Sequence, residues 1–175
     1  MNKMIGSRDL ADVMPSIDEA VQQLYLNDAE SLDLRALSAT PYVRELSINR
    51  AGTVRLWLPP RLEILSLEAT QADLSILEGN RTLWDLTLKG LDVSVDHLAA
   101  LPALIRLDVS DASVDNVEAL TDLDIRVLVL NSEQWQRLRA SGRLPKRLAG
   151  AMWAGHAMLE DATEWATWLR SHIPS

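Results

Sequence analysis

A short aliphatic pattern recurs along this 175-residue chain and constrains its fold more than any other feature. Six residues make one copy, and the first, fourth and sixth of them are leucine, isoleucine or valine. Successive copies lie 22, 19, 21, 21 and 21 residues apart, measured between their fourth-position leucines. These leucines are Leu24, Leu46, Leu65, Leu86, Leu107 and Leu128. A unit of nearly fixed length that recurs six times predicts a stack of similar structural units that share one core.

Each copy predicts one short β-strand followed by a compact turn. Alternate residues of a strand point to opposite faces, so the fourth and sixth positions face the same side. After three of the strands, two aliphatic residues lie three positions apart, which suits one turn of α- or 3₁₀-helix or an equivalent irregular turn. These pairs are Leu74 and Leu77, Val95 and Leu98, and Val117 and Leu120. A degenerate seventh copy at residues 148–153 predicts one further strand.

The pattern resembles the leucine-rich repeat family, whose unit of 20–29 residues matches both the period and the aliphatic positions. The resemblance covers residues 17–155, and residues 58–67 resemble the short bacterial repeat of secreted ubiquitin-ligase effectors. Those ligases use a catalytic cysteine in a separate domain, and this chain has no cysteine, so their activity does not carry over.

The resemblance implies an α/β leucine-rich repeat solenoid with a curved parallel sheet of six or seven short strands. Its convex side would be helical or irregular, and its ends would carry helical caps. The alternative is an ordinary α/β domain with parallel strands. The sequence departs from the family after each strand, where asparagine is usual. Ala29, Ala51, Thr70, Leu91, Ala112 and Glu133 stand there instead. We therefore expect backbone groups or water to satisfy the strand exits.

A single domain is expected over residues 1–175, because no glycine-, serine- or proline-rich linker divides the chain. Its predicted parts are an N-terminal cap over residues 1–20, the repeats over residues 21–155 and a C-terminal capping helix over residues 156–175.

Both caps have a sequence signal. At the start, residues 9–14 and 16–20 predict short helical turns, with Ser16 and Glu19 spaced as a capping box. At the end, an apolar face at helical spacing predicts a helix over residues 158–173. Its members are Met158, Ala162, Trp165, Leu169 and Ile173. We interpret Trp153, Trp165 and Trp168 as part of this cap, and a binding patch is the alternative.

The residues between the inward-facing leucines point away from the core, onto the concave face that the resemblance implies. Most are small or polar, and since they lie outside the core we expect them to have no conformational role. Nine are predicted to form a protein-binding site: Tyr25, Glu45, Ser47, Ser66, Glu68, Asp85, Thr87, Arg106 and Asp108. A third column of this face is predicted as Asn27, Asn49, Glu68, Lys89, Ser110 and Asn131. Val127 and Val129 are apolar at such positions, so a terminal segment is expected to cover them. The alternative is that all these residues are merely solvated.

The charge balance is acidic, with 17 lysines and arginines against 25 carboxylates and a net charge of −8. Such a chain is a poor general binder of nucleic acid or anionic membranes. A basic cluster from Arg137 to Arg147 begins on a helix predicted over residues 132–140 and follows an acidic stretch from Asp108 to Asp124. We interpret the basic cluster as neutralising the acidic stretch, with a nucleic-acid patch as the alternative.

No catalytic, cofactor or metal motif is present in the sequence. The lack of cysteine removes disulfides, thiolate nucleophiles and cysteine-based zinc sites. The three histidines, His97, His156 and His172, do not have the spacing of a metal-binding motif. Neither a G-x-S-x-G segment nor a glycine-rich phosphate loop occurs. We therefore expect a protein that is not an enzyme and needs no cofactor.

These observations and the resemblance together predict a non-catalytic module that binds a basic protein partner through its concave face. A small acidic binder is compatible with a bacterial immunity or inhibitor protein that blocks a toxin or enzyme. The N-terminus has no secretory apolar segment, and no stretch of about 18 apolar residues occurs. We expect a cytoplasmic monomer that binds neither nucleic acid nor membranes. The alternatives are a self-associating structural module and an enzyme with a site on the concave face.

Overall fold

The computed structural model describes residues 2–5, 17, 19–155 and 159–173. Its strands are β1 (Asn2–Ile5), β2 (Gln23–Asn27), β3 (Ser31–Asp33), β4 (Glu45–Arg55), β5 (Ile64–Ala72), β6 (Asp85–Val93), β7 (Arg106–Val114), β8 (Val127–Leu130) and β9 (Gly150–Trp153). Its α-helices are α1 (Val95–Ala99), α2 (Ser132–Ala140) and α3 (Leu159–His172). Short 3₁₀-helices span Arg35–Ala39, Leu74–Leu77 and Val117–Asp122.

All of these strands belong to one parallel sheet, which confirms the predicted α/β class with a parallel sheet. Their order across the sheet follows the chain, as β1, β2, β4, β5, β6, β7, β8 and β9, and β3 pairs with β4 beside this path. Neighbours in sequence are therefore neighbours in space, which agrees with a chain built of successive similar units.

The leucines at the fourth position of each repeat form a buried column across the sheet. The strand pairing places Leu65 beside Leu86, and Leu86 beside Leu107. The same register runs from Leu24 to Leu128, and none of the six leucines has exposed surface. The predicted stacking of the leucines is confirmed. Burying each of these side chains contributes about 1.5–3 kcal/mol to the core.

The predicted turns after the strands are also present. Leu74–Leu77 and Val117–Asp122 are 3₁₀-helices and Val95–Ala99 is an α-helix, and the paired aliphatic residues of all three are buried. The degenerate seventh copy forms β9, which places Ala151 beside Leu128 on the neighbouring strand.

The strands β4 to β7 are 9 to 11 residues long and extend past the short strands that the repeat predicts. The β4–β5 register shifts between Ile48 and Ala51, and pairing then resumes around the corner of the unit. There the Asp28 N–H donates to the Asn49 carbonyl at 3.0 Å, and the Gly52 N–H donates to the Ala29 carbonyl at 2.9 Å. The expectation that backbone groups satisfy the strand exits without an asparagine ladder is confirmed here, whereas at the exit of β7 the side chains of Asn131 and Gln134 donate to backbone carbonyls.

Successive units approach backbone to backbone at the same corner. Gly90 has φ of +71°, and a Cβ at this position would lie 2.8 Å from the Ala69 carbonyl oxygen. A Cβ on Gly52 would meet the Glu30 carbonyl even more closely. Both positions therefore require glycine. Gly90 combines a positive φ with a close backbone neighbour, whereas Gly52 has only the close backbone neighbour.

At the C-terminal end, the helix predicted for residues 158–173 is present as α3, although Met158 lies outside the described residues. Leu169 of this helix is buried, and Trp165 and Ile173 pack against the core.

At the N-terminal end, the chain contains a strand that the aliphatic pattern did not indicate. β1 pairs in parallel with β2, and Asn2 lies beside Gln23. The helical turn predicted for residues 9–14 and the capping role of Ser16 fall outside the described residues. In the described part of the chain, no helix has the length and apolar character needed to cross a membrane.

Candidate protein-binding face

The half-exposed side chains between the buried leucines form one face of the sheet, here called the outer face. Strand pairing aligns them in the first two columns that the repeat predicts. The first column is Gln23, Glu45, Ile64, Asp85, Arg106 and Val127, and the second is Tyr25, Ser47, Ser66, Thr87 and Asp108. Glu68 extends this face on β5 and lies beside Lys89 of β6. All nine predicted site residues therefore lie on neighbouring strands of one face.

Glu45 is the centre of a hydrogen-bond network on β2 and β4. Its carboxylate accepts from Gln23 Nε2 at 2.6 Å and from the Tyr25 hydroxyl at 3.0 Å. The hydrogen bond to Glu45, partial burial and the negative charge of Glu45 together raise the pKa of Tyr25 above its ordinary value. Because neutral donors hold Glu45, its negative charge is fixed in position without being neutralised.

Arg106 connects two acidic residues in the middle of the face. Its Nη1 donates to Asp85 Oδ1 at 2.8 Å, and its Nη2 lies 3.9 Å from Asp108 Oδ2. The side chains of Asp85 and Asp108 are each only 16% exposed, and that of Arg106 is 30% exposed. This degree of burial makes the ion pair stronger than a fully solvated one. The arrangement is a preorganised, partly neutralised group rather than a set of free carboxylates.

Asp108 also has a structural role that the sequence analysis did not anticipate. Its Oδ1 accepts from the Ser110 backbone N–H at 3.1 Å and from the Ser110 hydroxyl at 2.8 Å. Ser110 itself is buried, and its carbonyl accepts from Asn131 Nδ2 at 2.8 Å. The placement of Ser110 on the exposed third column was wrong, because the register shifts after Thr87 and sets Lys89 beside Asp111. The expectation that Asp108 has no conformational role was also wrong, because its carboxylate holds the backbone and hydroxyl of Ser110.

The two valines at the end of the columns differ from each other. Val129 is buried, as expected for an apolar residue covered at the end of the face, whereas Val127 is half-exposed. Polar character therefore ends at β7, while the second column continues past Val129 to Met152 on β9, which is 54% exposed.

The basic cluster after residue 136 is bound to the acidic stretch before it. Arg137 makes two hydrogen bonds to the Glu118 carboxylate, at 3.2 and 3.0 Å. Arg143 pairs with Asp122, and Arg147 pairs with Asp124. The interpretation that the basic cluster neutralises the acidic stretch is confirmed for these three arginines, whereas Arg139 pairs with Glu164 on α3.

The histidines make no metal site in the described part of the chain, where no group of three potential ligands comes together. His97 Nδ1 lies 2.6 Å from Glu78 Oε1, and His172 Nδ1 lies 2.9 Å from the Trp168 carbonyl. His156 lies outside the described residues.

Two open clefts lie away from the outer face. One of 730 Å³ follows α3 and includes Arg139, Glu164 and Trp168. The other, of 450 Å³, lies at the ends of β5 to β7 and includes His97 and Asp115. Burial acts to raise the pKa of Asp115, but hydrogen bonds from Ser94 and two backbone N–H groups outweigh it and lower the pKa.

Two exposed apolar residues at the rim of the outer face were missed in the sequence analysis. Trp84 and Ile105 directly precede β6 and β7, and the Ile105 N–H donates to the Trp84 carbonyl at 2.9 Å. The corresponding residues of the flanking copies are charged: Arg44, Glu63 and Arg126. Apolar residues at a position that is otherwise charged were the signal that could have found them.

Comparisons with protein-family models, with curated proteins and with solved structures found no match for this chain.

Proposed function

We propose that this chain is a leucine-rich repeat solenoid that binds a protein partner through the outer face of its sheet, without catalysis. The observation that supports this most directly is the register of the outer face. Residues about 21 positions apart in sequence, such as Ile64, Asp85 and Arg106, lie side by side on adjacent parallel strands. In a solenoid this face is the concave one, and extended concave surfaces are what repeat proteins use to bind partners.

The side chains of this face suit recognition in two ways. The Glu45 network and the Asp85–Arg106–Asp108 group are held in place before any partner arrives, which lowers the entropy cost of binding. Between them, small residues such as Ser47, Ser66 and Thr87 allow a partner to approach the sheet closely.

The charge of the face indicates a basic partner. Glu45, Glu68, Asp85 and Asp108 oppose Lys89 and Arg106, so these six residues carry a net charge of −2, and the whole chain carries −8. Complementary charge steers association and sets specificity more than it sets affinity. A small acidic binder of a basic protein fits a cytoplasmic bacterial immunity or inhibitor protein that acts as a monomer.

Ser66→Arg tests this proposal, because Ser66 lies at the centre of the second column between Ser47 and Thr87. Ala99→Arg is the matched control: Ala99 is exposed on α1, outside the outer face, and the charge change is identical. Wild-type protein and both variants are immobilised and used to capture partners from a lysate of the source organism, with melting temperatures measured in parallel.

We expect wild type and Ala99→Arg to retain the same protein and Ser66→Arg to lose it, with all three melting alike. Retention of that protein by Ser66→Arg at wild-type strength would move the interface off the outer face. Sedimentation velocity at several concentrations addresses the alternative of self-association. A sedimentation coefficient that rises with concentration and falls back in Met152→Lys would favour that alternative, since Met152 on β9 is 54% exposed.

A further inference from the structure

Trp84 and Ile105 form an apolar edge at the start of the central strands. Trp84 is 37% exposed and Ile105 is 40% exposed, and both are large side chains. Their backbones are bonded directly, since both the Ile105 and Arg106 N–H groups donate to the Trp84 carbonyl. Such adjacent exposed apolar residues differ from apolar residues scattered singly over a surface, which need no explanation.

The edge borders the outer face and is continuous with an apolar residue on it. Ile64, half-exposed, lies beside Asp85, the residue that follows Trp84. Asp85 is in turn bonded to Arg106, the residue that follows Ile105. Three apolar residues therefore lie next to this half-buried ion pair, Ile64 in the strand register and Trp84 and Ile105 in the sequence. Aromatic anchors next to desolvated polar groups are the arrangement found at the energetic centres of protein interfaces.

The charges around this edge are unequal on its two sides. On the β4 side lies Glu45, which is bonded to neutral donors, and farther along β5 lies Glu68, beside Lys89 of β6. On the opposite side lies Arg126, whose backbone N–H donates to the Ile105 carbonyl. A ligand seated on Trp84, Ile105 and Ile64 thus meets the negative charge of Glu45 toward β4, and the pair of neighbours Glu68 and Lys89 farther along the strands.

We propose that the Trp84–Ile105 edge is the anchor of the binding face, and that it takes an apolar side chain of a protein segment carrying lysine or arginine nearby. The apolar side chain packs on Trp84 and Ile105, and the basic side chain reaches Glu45 or Glu68. This inference rests on the proposed function and specifies the residues and the ligand chemistry within it.

The chain offers a matched control for both anchor residues. Trp57 is 41% exposed and Ile76 is 37% exposed, and neither lies on the outer face. Trp57 follows β4, and Ile76 belongs to a 3₁₀-helix. The double variants Trp84→Ala/Ile105→Ala and Trp57→Ala/Ile76→Ala therefore remove the same side chains with nearly the same exposure from two different surfaces.

The probe is a phage-displayed library of random peptides of about 12 residues, selected on the immobilised full chain. The enriched peptide is synthesised, and its affinity is measured by calorimetry for wild type, both double variants and Ser66→Arg. Melting temperatures establish that every variant is folded.

We expect enriched peptides to combine an apolar residue with lysine or arginine. The Trp84→Ala/Ile105→Ala variant should bind at least roughly 30-fold more weakly, and the Trp57→Ala/Ile76→Ala control should stay within about twofold of wild type.

Other results overturn the inference in distinguishable ways. If Ser66→Arg no longer binds the peptide but Trp84→Ala/Ile105→Ala binds it normally, the outer face is still the binding surface, and the Trp84–Ile105 edge is not its anchor. A peptide insensitive to both variants, or a library without an enriched sequence, would contradict the anchor and the proposed function together.

Discussion

The side-chain amide of Gln134 donates to the carbonyl oxygens of Val109, at 2.9 Å, and Ala112, at 3.0 Å. Gln134 lies on α2, and both carbonyls belong to β7. The pairing of β7 with β8 ends where Asp108 lies beside Val129, so β8 does not reach these two carbonyls. Since β8 is too short to cover them, a buried glutamine provides the donors that a longer strand would supply. Gln134 also completes a capping box with Asn131.

We expect Gln134→Ala to lower the free energy of unfolding by about 2–4 kcal/mol, because it leaves one buried and one partly buried carbonyl unsatisfied and removes half of the capping box. Gln136→Ala is the control, since Gln136 is exposed on the same helix. Urea unfolding measures both variants. Equal stability of the two would mean that water replaces the glutamine amide at this strand end.

The bond between Asp85 and Arg106 leads to a second prediction. Asp85→Asn should reduce the free energy of unfolding by about 1–3 kcal/mol, because the Arg106 guanidinium loses its charged acceptor in a half-buried site. Asp28→Asn is the comparison, because the Asp28–Arg50 pair makes two hydrogen bonds rather than one but is well exposed, at 59% and 63%.

The exposed Asp28–Arg50 pair should contribute less than the Asp85–Arg106 pair, since solvent and salt screen it. Chemical unfolding at low and high salt distinguishes the two variants. A loss at Asp28 as large as that at Asp85 would show that burial does not set the strength of these pairs.

The stacking of Leu86 and its equivalents was predictable because the period of the repeat alone determines the register. A repeat of constant length places equivalent residues side by side, and the strand pairing keeps the leucines in register through the 22- and 19-residue spacings on either side of Leu46 as well. The pairing of Asp85 with Arg106 was also present in the sequence, since both occupy the same column on adjacent copies. It was missed because the outer face was treated as free of internal contacts.

Other features depend on geometry that a periodic pattern does not encode. β1 has no aliphatic repeat, and it is a strand because β2 offers it an edge to pair with. Gln134 acts on Val109, which is 25 residues earlier, and only the position of α2 over the end of β7 brings them together. Ser110 is buried because the β6–β7 register shifts at the strand exit.

The tryptophan cluster at the C-terminal end should behave as packing rather than as hydrogen bonding. Trp165 contacts Trp135 and Trp153 edge to face, with ring centroids 5.4 and 5.5 Å apart. Among the described residues, the buried Nε1 atom of Trp165 has no hydrogen-bond partner. Trp165→Phe should therefore change stability by less than about 1.5 kcal/mol, whereas Trp165→Ala should cost about 3 kcal/mol.

Thermal melts and binding of an apolar dye measure the effect of these substitutions. Trp168→Ala is the control, because Trp168 is half-exposed and contacts His172 rather than the other tryptophans. If Trp165→Phe were as damaging as Trp165→Ala, the indole N–H would have a partner that matters for stability.

The ion pairs of the surface predict how stability depends on pH. Hydrogen bonds from Arg50 lower the pKa of Asp28, those from Arg35 lower the pKa of Asp33, and those from Arg137 lower the pKa of Glu118. A carboxyl whose pKa is lower in the folded protein contributes stability above its unfolded pKa and loses that contribution as pH falls through the folded value. Stability should therefore be level from neutral pH to about pH 5 and decrease below about pH 4.

Urea unfolding at a series of pH values, in wild type and Glu118→Gln, tests this dependence. Glu118→Gln should be less stable than wild type at neutral pH, because Arg137 loses its charged partner, and the two curves should converge below about pH 4 as Glu118 becomes protonated. Glu160→Gln is the control, since Glu160 is exposed on α3 and makes no ion pair with another described residue. A Glu118→Gln curve parallel to that of wild type throughout the acid range would show that the Glu118–Arg137 pair does not contribute to folding. A difference at neutral pH that is present in about 0.1 M salt and shrinks in about 1 M salt would assign the effect to the attraction between these two charges, which salt screens.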